Sequence, residues 1–405
     1  MTSILIITQF FPPESNAGSR RMEAMARALS EEFVVTVSTP KPGYPEIHLY
    51  EGFDLSVLDD SFPGTILRSA ALEPYHRNFI LRALREVFLA IRVTAKTLFL
   101  DSEVVIVSTP SIFFAPFSLL ISSLKRATFV YDLRDLTWRY IRETARPSIW
   151  RNIASRILER VFKRILRSSD LVVAATPGIQ EICIKDYGLN PQKIHTVMNG
   201  VSDELLSMGR YSSHNLSRQP VVTYVGLFGN NHGVEILVDV ASLLPDVKFV
   251  LVGDGPRKDD ITDRIVELKL GNVELVGYQP CLGRLSEYYR RSTIMISHLK
   301  DTPVMNDTAI PAKIFEYMAF EKPIVYAGEG VAISFLNDIG CAVTVPSNDV
   351  LAMRDAITSL LKHPDRMEKM GLLGRAYVEE FFRRGQLMRS LVQKIKSIEA
   401  TKKAG

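Results

Sequence analysis

The chain has 405 residues, of which 46% are hydrophobic and 23% charged, and a formal net charge of +4; this composition is typical of folded globular proteins and argues against a disordered one. The length exceeds what one ordinary hydrophobic core covers and predicts two domains of about 200 residues. The three cysteines, Cys183, Cys281 and Cys341, are far apart, which argues against a zinc site or a disulfide framework and for a reducing compartment.

The first predicted element is a buried strand, "ILIIT" at residues 4–8. No basic residue precedes this apolar run, so we do not expect a signal peptide. A loop ending in Asn16, Ala17 and Gly18 then leads into an amphipathic helix predicted over 18–32. Small residues at a helix start let the backbone approach an anionic ligand, although Gly18 also suits an ordinary turn.

The rest of the first half repeats the strand-then-helix pattern. Strands are predicted at 33–38, 104–108, 128–132 and 170–175, and helices at about 76–98, 112–125 and 147–168. Continuous apolar strands that alternate with helices predict a parallel sheet covered on both faces. Pro110 and Pro116 interrupt the uncharged run 104–124, so a strand and a helix explain this run better than a membrane span.

The segment "YDLRDLTW" (131–138) ends the strand predicted at 128–132. Asp132, Arg134 and Asp135 are therefore expected near the carboxyl end of a parallel sheet, where such sheets bind ligands. We interpret them as candidates to bind a ligand there. A helix cap with a local ion pair is the alternative.

Positive charge is concentrated in residues 68–167, which hold 18 Lys or Arg and 8 Asp or Glu. In the helices predicted at 77–96 and 148–168, apolar residues recur at helical spacing and the basic residues lie largely outside that stripe. Such helices suit an anionic membrane surface, and packing on their own sheet with a solvated basic face is the alternative. No nucleic acid partner is expected, because aromatic platforms do not interleave with the charge.

At 207–219 the apolar pattern lapses into small polar residues, and we predict a linker there. It would separate an N-terminal domain (1–206) from a C-terminal domain (220–383), and a last helix (384–405) would pack back on the first. In the second domain strands are predicted at 221–226, 248–253, 273–277, 293–297, 323–327 and 341–345. The pattern therefore predicts two doubly wound α/β domains, and we expect the binding site in the cleft between them.

The second domain repeats the strand, turn and helix design in "YVGLFGNNHGVEILVDVA". Gly226, Gly229 and Gly233 lie on the turn, with Asn230 and His232 between them. The segment "VGDGP" lacks the third glycine of a dinucleotide fingerprint, and the chain has no GxxxxGK[ST] sequence. These absences argue against a nicotinamide, flavin or P-loop nucleotide enzyme.

The segment "AIPAKIFEYMAFEKP" predicts a helix that begins near Pro311. Lys313 and Glu316 would share a face of its first turn. A lysine beside free N–H groups can bind an anion, and a glutamate can accept two hydrogen bonds from a sugar diol. The alternative is an ordinary ion pair worth a few tenths of a kcal/mol.

Taken in chain order, these segments resemble the retaining glycosyltransferases of family 4, whose GT-B fold has two Rossmann-like α/β domains facing a cleft. The segments "YVG…GNNHGVEILVDVA", "FVLVGDGP", "NVELVGY" and "PAKIFEYMAFEKPIV" resemble its C-terminal domain. The segments "FFPPESNAGSRRMEAMARAL" and "YDLRDLTW" resemble the bacterial subgroup that builds lipid-linked surface polysaccharides such as O-antigen and capsule. The similarity covers nearly the whole chain.

The resemblance implies a nucleotide-sugar donor site. Glu316 matches the glutamate that binds the donor ribose, and Tyr278 falls where the base is held. The positions that match donor-binding segments are Ala17, Gly18, Gly229, Asn230, His232, Thr308, Ile310 and Lys313. We assign catalytic roles to Asp132, Asp135 and Glu316, and acceptor binding to Arg134.

Three positions depart from the family pattern. Thr308 stands where the family keeps a first glutamate, eight residues before Glu316, so the contact to the donor sugar is expected to change. Leu227 and His232 stand where the family has a phosphate-binding arginine and lysine. Lys313, or His232 if it is protonated, could replace part of that charge.

The implied activity is retaining transfer of a sugar from a UDP-sugar to a saccharide acceptor, a lipid-linked pyrophosphoryl sugar in cell-surface polysaccharide synthesis. No metal and no other cofactor are expected. The implied location is cytoplasmic, peripheral on the inner face of the cytoplasmic membrane. The alternatives are a nucleotide-sugar epimerase of the same fold and a catalytically retired membrane-surface scaffold.

Overall fold

The computed structural model describes residues 2–44, 47–70, 79–109, 112–144, 149–210 and 219–404. The chain forms two compact units. Unit 1 contains Met1–Met198 and Gly385–Gly405, and unit 2 contains Asn199–Arg384. Each unit is built on one parallel sheet flanked by helices.

The described residues of unit 1 form a seven-stranded sheet. The strands are β1 (Ser3–Ile7), β2 (Val34–Pro40), β3 (Thr65–Ser69), β4 (Val104–Ser108), β5 (Thr128–Leu133), β6 (Leu171–Ala174) and β7 (Ile194–Thr196). The helices are α1 (Ala17–Ser30), α2 (Leu55–Asp60), α3 (Phe79–Ala95), α4 (Phe114–Lys125), α5 (Thr137–Thr144), α6 (Ile149–Ser168) and α7 (Pro177–Lys185). The strand order is β3-β2-β1-β4-β5-β6-β7, and all pairs are parallel.

The described residues of unit 2 form a six-stranded sheet with the same winding. The helices are α8 (Asp203–Gly209), α9 (Glu235–Ser242), α10 (Lys258–Glu267), α11 (Leu282–Arg291), α12 (Pro303–Thr308), α13 (Ala312–Ala319), α14 (Val331–Ile339), α15 (Val350–Leu361) and α16 (Pro364–Phe381). The strands are β8 (Val221–Val225), β9 (Lys248–Val252), β10 (Val273–Val276), β11 (Ile294–His298), β12 (Ile324–Ala327) and β13 (Ala342–Val345). Their order is β10-β9-β8-β11-β12-β13.

The helix α17 (Arg384–Ala404) follows unit 2 in sequence and packs on unit 1. Met388, Leu391, Val392 and Ile395 of this helix lie in the same buried cluster as β1 and α1. The predicted domain boundary differs from this division, because α8 belongs to unit 2 whereas the sequence reading assigned residues up to 206 to the first domain. Of the predicted linker 207–219, residues 211–218 lie outside the described part of the chain.

The central strands explain why both sheets are parallel and covered. In β4 the side chains from Val104 to Val107 are buried on both faces, which requires helices above and below the sheet. In each unit the winding reverses at one place, between β1 and β4 in unit 1 and between β8 and β11 in unit 2. Open α/β sheets bind ligands at the carboxyl ends of the strands at such a reversal.

The prediction of two doubly wound α/β domains is confirmed. The sequence reading missed β3 and β7, which are short strands at the two edges of the unit 1 sheet. The run 104–124 forms β4 and most of α4, with residues 110 and 111 outside the described ranges. In the described parts of the chain, every helix is too short or too polar to cross a membrane.

Candidate functional site

The turn after β8 in unit 2 approaches α13 closely. Gly226 adopts φ +143°, a conformation that favours glycine. A Cβ atom at Gly226 would lie 2.7 Å from the Lys313 Nζ atom. The Tyr224 hydroxyl donates a hydrogen bond of 2.9 Å to the Leu227 carbonyl, which fixes the start of the turn. The positive φ therefore favours glycine at this position, and the turn lies against the end of the lysine side chain.

Lys313 lies in the first turn of α13, which begins after the N-cap residue Pro311. Its Nζ atom is 3.7 Å from the centroid of the Tyr224 ring and is buried without a hydrogen-bond partner among the described residues. Burial lowers the pKa of Lys313 to about 7. The sequence left open an ordinary ion pair between Lys313 and Glu316. The structure does not show one, because Lys313 Nζ makes no hydrogen bond to Glu316. The ammonium group is positioned to receive an anion.

His232 lies on the same turn. Its Nδ1 atom is buried and has no hydrogen-bond partner within the described ranges. Burial, together with the nearby charges of Lys313 and His298, lowers the pKa of His232 to about 3. His232 is therefore neutral at neutral pH and does not replace the missing cation. Lys300 also adjoins this turn, but it is paired with Glu235, whereas the Lys313 Nζ atom has no hydrogen-bond partner among the described residues.

Glu316 is buried on α13, and its Oε2 atom accepts a hydrogen bond of 2.5 Å from the Tyr289 hydroxyl. The helix itself is tied to the sheet by Tyr317, whose hydroxyl accepts from the Val225 N–H at 3.1 Å. Lys313 and Glu316 thus share one helix that is anchored beside the turn after β8. Together they offer a cation for phosphate oxygens and a carboxylate for a diol.

The other predicted residues of unit 2 have different surroundings. Thr308 is buried, and its hydroxyl donates to the Val304 carbonyl of its own helix at 2.5 Å. Ile310 is buried beneath the start of α13, and Asn230 is exposed on the turn. Tyr278 follows β10, the edge strand of the sheet, and is half-buried. A hydroxyl is accommodated at position 308 because it is hydrogen-bonded within its own helix, α12.

In unit 1, Asp132 is fully buried and pairs with Arg21. Arg21 donates to Asp132 through Nη2 at 2.7 Å and Nε at 3.1 Å, and the Ser108 hydroxyl donates to the other carboxylate oxygen at 2.7 Å. These bonds join α1, β4 and β5 in the interior. The carboxylate is therefore held in the interior and is not exposed for the catalytic contact expected from the sequence.

Arg134 lies against the first turn of α1. A Cβ atom at Gly18 would be 2.4 Å from Arg134 Nη1, and Arg134 also donates to the Thr109 carbonyl at 3.3 Å. The atoms Arg134 Nε, Asn16 Nδ2 and Ser19 Oγ are buried without partners among the described residues. The structure thus brings Arg134 to the loop of Asn16 and Gly18, a contact that the sequence did not predict.

Two more predicted residues of this region are accounted for. Asp135 is half-buried and accepts a hydrogen bond from the Thr137 hydroxyl, as in the predicted alternative of a local cap. Ala17 is exposed as the first residue of α1. The described residues contain no group of three or more His, Cys, Asp and Glu side chains that could hold a metal ion.

Sequence reasoning missed Tyr289, Tyr224, Arg21 and Glu14. Glu14 is buried and accepts hydrogen bonds of 2.9 Å from the N–H groups of Gly43 and Tyr44. Burial raises the pKa of Glu14 to about 7. Of these four, only Tyr224 could have been suggested by its local sequence, because it lies just before the glycine turn. The other three contact residues that are far away in the sequence.

Two family models match the chain. The model described as "Glycosyltransferase Family 4" matches residues 18–205, and the model "Glycosyl transferases group 1" matches residues 211–376. The chain belongs to the glycosyltransferases. The predicted family is confirmed, and the two models fall on the two α/β halves of this glycosyltransferase.

Relatives of the glycosyltransferase include TuaH of Bacillus subtilis, named for teichuronic acid biosynthesis, which is 25% identical over 52% of this chain and 53% of TuaH. A Campylobacter jejuni enzyme is 24% identical over 50% of this chain and 53% of its own. Its name is N-acetylgalactosamine-N,N'-diacetylbacillosaminyl-diphospho-undecaprenol 4-alpha-N-acetylgalactosaminyltransferase. The matched part thus spans about half the length of these relatives.

Solved structures share the fold. A sucrose-phosphate synthase from Thermosynechococcus elongatus gives a TM-score of 0.77 at 18% identity and covers 99% of this chain and 100% of its own. Anabaena HepE in complex with UDP-glucose gives 0.72 at 16% identity, covering 98% and 100%. Likeness at these identities shows the fold, and the predicted GT-B fold class is confirmed.

Proposed function

We propose that this glycosyltransferase moves a sugar, with retention of configuration, from a UDP-sugar to a lipid-linked pyrophosphoryl saccharide in cell-surface polysaccharide synthesis. One observation carries the proposal. The buried ammonium of Lys313, beside the turn after β8, has no hydrogen-bond partner in the part of the chain that the structure describes, and Glu316 lies three residues further along the same helix. A diphosphate supplies the missing anion, and a ribose supplies the diol.

The donor assignment has two supports. Unpartnered cations inside a protein are costly, so a site that keeps one is suited to an anionic ligand. HepE, which shares the fold, forms a complex with UDP-glucose. We extend this donor class to the present chain because the turn, Lys313 and Glu316 offer a cation and a carboxylate in one place.

In the proposed reaction the bond between the anomeric carbon and the diphosphate breaks while the acceptor oxygen bonds to that carbon on the same face. The acceptor proton passes to a donor phosphate oxygen, so the protein supplies no nucleophile. Lys313 stabilises the charge that develops on the departing diphosphate, and Glu316 holds the ribose in place. Arg134 and Asp135 are the proposed acceptor contacts, and Asp132 holds their strand end through Arg21.

The lipid-linked acceptor is supported by a surface of unit 1 that we call the basic apolar face. The helix α4 packs against both α3 and α6. Exposed apolar residues of this face are Leu84, Phe88, Ile91, Leu98, Phe99, Leu120, Leu124, Ile153, Ile157 and Val161. Exposed cations nearby are Arg92, Lys96, Arg126, Arg156, Arg160 and Arg164. Phe99 is 96% exposed, and groups of exposed apolar side chains rimmed by polar residues are typical of protein or membrane interaction sites.

We propose that the basic apolar face docks on an anionic leaflet, which places the enzyme on the inner face of the cytoplasmic membrane. Apolar side chains in the interface and cations near anionic headgroups both favour this binding. The Campylobacter relative is named for a diphospho-undecaprenol substrate, and such a substrate lies in a membrane. The face is larger than the sequence reading expected, because α4 joins the two predicted helices.

The function is tested by a thermal-shift panel of UDP-, GDP- and dTDP-sugars, followed by transfer assays with a lipid-linked saccharide and product analysis by NMR. We expect the UDP-sugars to raise the melting temperature and the product to keep the anomeric configuration of the donor. Glu316→Ala is expected to remove the shift. If no nucleotide sugar raises the melting temperature, the proposal is overturned. Turnover of the donor without an acceptor would identify an epimerase instead.

Membrane docking is tested by flotation with phosphatidylglycerol vesicles at low salt. Phe99→Asp should lower the affinity for the vesicles about thirtyfold, since burying a phenylalanine side chain contributes about 2 kcal/mol. Val266→Asp is the matched control, because Val266 is an exposed apolar residue of unit 2. Equal flotation of the wild-type protein and Phe99→Asp would contradict docking through this face.

A further inference from the structure

A tyrosine that no sequence motif indicates touches the carboxylate assigned to the donor ribose. Tyr289 lies on α11, is fully buried, and packs its ring against Tyr317 at 5.9 Å and Phe320 at 4.9 Å between centroids. These contacts hold the ring from the side of α13 and the residue after it. The position of the Tyr289 hydroxyl is therefore set by packing and not by solvent.

The hydroxyl of Tyr289 donates to Glu316 Oε2 at 2.5 Å. Hydrogen bonds to charged groups are stronger than neutral ones, and a tyrosine hydroxyl is acidic enough to favour the donor role opposite a carboxylate. The bond reaches one of the two carboxylate oxygens, Oε2, and a carboxylate has about four acceptor positions. Tyr289 thus selects a rotamer of Glu316 without occupying the whole carboxylate.

A ribose diol requires such a selection. A glutamate has three side-chain torsions, and fixing them on binding costs free energy. A site that is already ordered does not incur this cost when the ligand arrives. The helix α13 is itself held to the sheet through the Tyr317 hydroxyl and the Val225 N–H. The backbone and the carboxylate are therefore ordered by two different tyrosines.

We propose that Tyr289 is a positioning residue that orients Glu316 for the ribose hydroxyls of the donor, and so sets the preference for a ribonucleotide. The inference rests on the proposed function, since it takes Glu316 as the ribose ligand. It goes further by assigning a role to α11, an element outside the motif that carries Lys313 and Glu316. Tyr289 itself does not touch the donor.

The test compares binding of UDP, 2′-deoxy-UDP and inorganic pyrophosphate by calorimetry to the full chain. The wild-type protein should prefer UDP over 2′-deoxy-UDP by about tenfold or more, as expected for one hydrogen bond to a charged group. Tyr289→Phe, which keeps the ring, should reduce this preference to less than about threefold and leave pyrophosphate binding unchanged. A role in stability alone would weaken all three ligands together.

Two further variants separate the possible failures. Glu316→Ala should abolish the ribose preference; if it does not, the proposed donor site is wrong. If Glu316→Ala abolishes the preference and Tyr289→Phe keeps it, the inference about Tyr289 alone is wrong. Tyr187→Phe is the matched control, because Tyr187 is a buried tyrosine of unit 1 that bonds Trp138 and Arg139; it should keep the wild-type preference.

A loss of pyrophosphate binding in Tyr289→Phe would also overturn the inference, since the residue would then support the fold and not the carboxylate. The double variant Tyr289→Phe, Glu316→Ala gives an independent measure. Its UDP affinity should equal that of Glu316→Ala, because residues that act through one another are not additive. An additive loss would assign Tyr289 a separate role and contradict the proposal.

Discussion

Units 1 and 2 each bury a cation beside a strand-to-helix turn, and the two cations are treated differently. Arg21 in unit 1 is bonded to both the Asp132 carboxylate and the Val197 carbonyl. Lys313 in unit 2 lies over the Tyr224 ring, and its ammonium has no hydrogen-bond partner among the described residues. Removing one partner of a buried ion pair leaves an uncompensated charge, whereas a buried ammonium without a hydrogen-bond acceptor can bind an anionic ligand.

The largest effect is expected where the partnered cation is removed. Arg21→Met leaves the Asp132 carboxylate buried without its counter-charge, which should lower the free energy of unfolding by about 3–5 kcal/mol. Urea unfolding followed by fluorescence measures this. Arg27→Met is the matched control on the same helix, since its ion pair with Glu23 is exposed and exposed pairs contribute at most about 1 kcal/mol. Equal losses in the two variants would break the comparison.

Removing the unpartnered cation should affect binding instead of stability. Lys313→Met is expected to weaken UDP binding by at least about tenfold, the equivalent of one charged hydrogen bond. Its free energy of unfolding should fall by less than about 1 kcal/mol, because no hydrogen bond is broken. Calorimetry and urea unfolding on one preparation measure both. Lys369→Met, an exposed lysine of α16, is the control, and a strongly destabilised Lys313→Met would contradict the assignment.

A smaller effect is expected from pH. The pKa of Lys313 is lowered to about 7 in the free protein, and a bound diphosphate would raise it again, so binding takes up a proton. UDP affinity should be constant below pH 7 and fall up to tenfold for each pH unit above it. The charged and titratable groups near Lys313 are Glu316 on its own helix, His232 on the turn, Tyr224 on β8 and His298 on β11.

His232 distinguishes this effect from histidine titration. The pKa of His232 is lowered to about 3, so His232→Asn should leave the pH midpoint unchanged, whereas Lys313→Met should remove the dependence. Binding in buffers of different ionisation enthalpy gives the proton count directly. A pH profile that survives in Lys313→Met and shifts in His232→Asn would transfer the role to the histidine.

The fold was predictable because it depends on local periodicity. Apolar runs separated by helical patterns indicated every strand of unit 2, and the two missed strands, β3 and β7, are edge strands of five and three residues. Lys313 and Glu316 were found because they lie together in one helical turn. Motif spacing fails where contacts join distant segments: Tyr289 and Glu316 are 27 positions apart on different helices.

Asp132 illustrates a second limit of sequence reasoning. Ligand-binding carboxylates are found at the ends of parallel strands. Asp132 lies at such an end, but it is paired with Arg21, 111 positions away in the sequence, and is buried. Thr308 is similar, since its hydroxyl bonds within its own helix. The sequence shows which residue type occupies a strand end or helix end. Whether its side chain is available to a ligand depends on its hydrogen-bond partners in the folded structure.

The path of the chain through α17 has a consequence for biosynthesis. Because residues 385–405 complete the interior of unit 1, that interior stays open until all of unit 2 has left the ribosome. Unit 2 is one continuous stretch of sequence and has no such requirement, so it is the unit able to fold first although it is made second. Domains usually fold in the order of synthesis; here we expect unit 1 to complete its fold only when α17 has been made, and the apolar residues of β1 and α1 to stay uncovered until then.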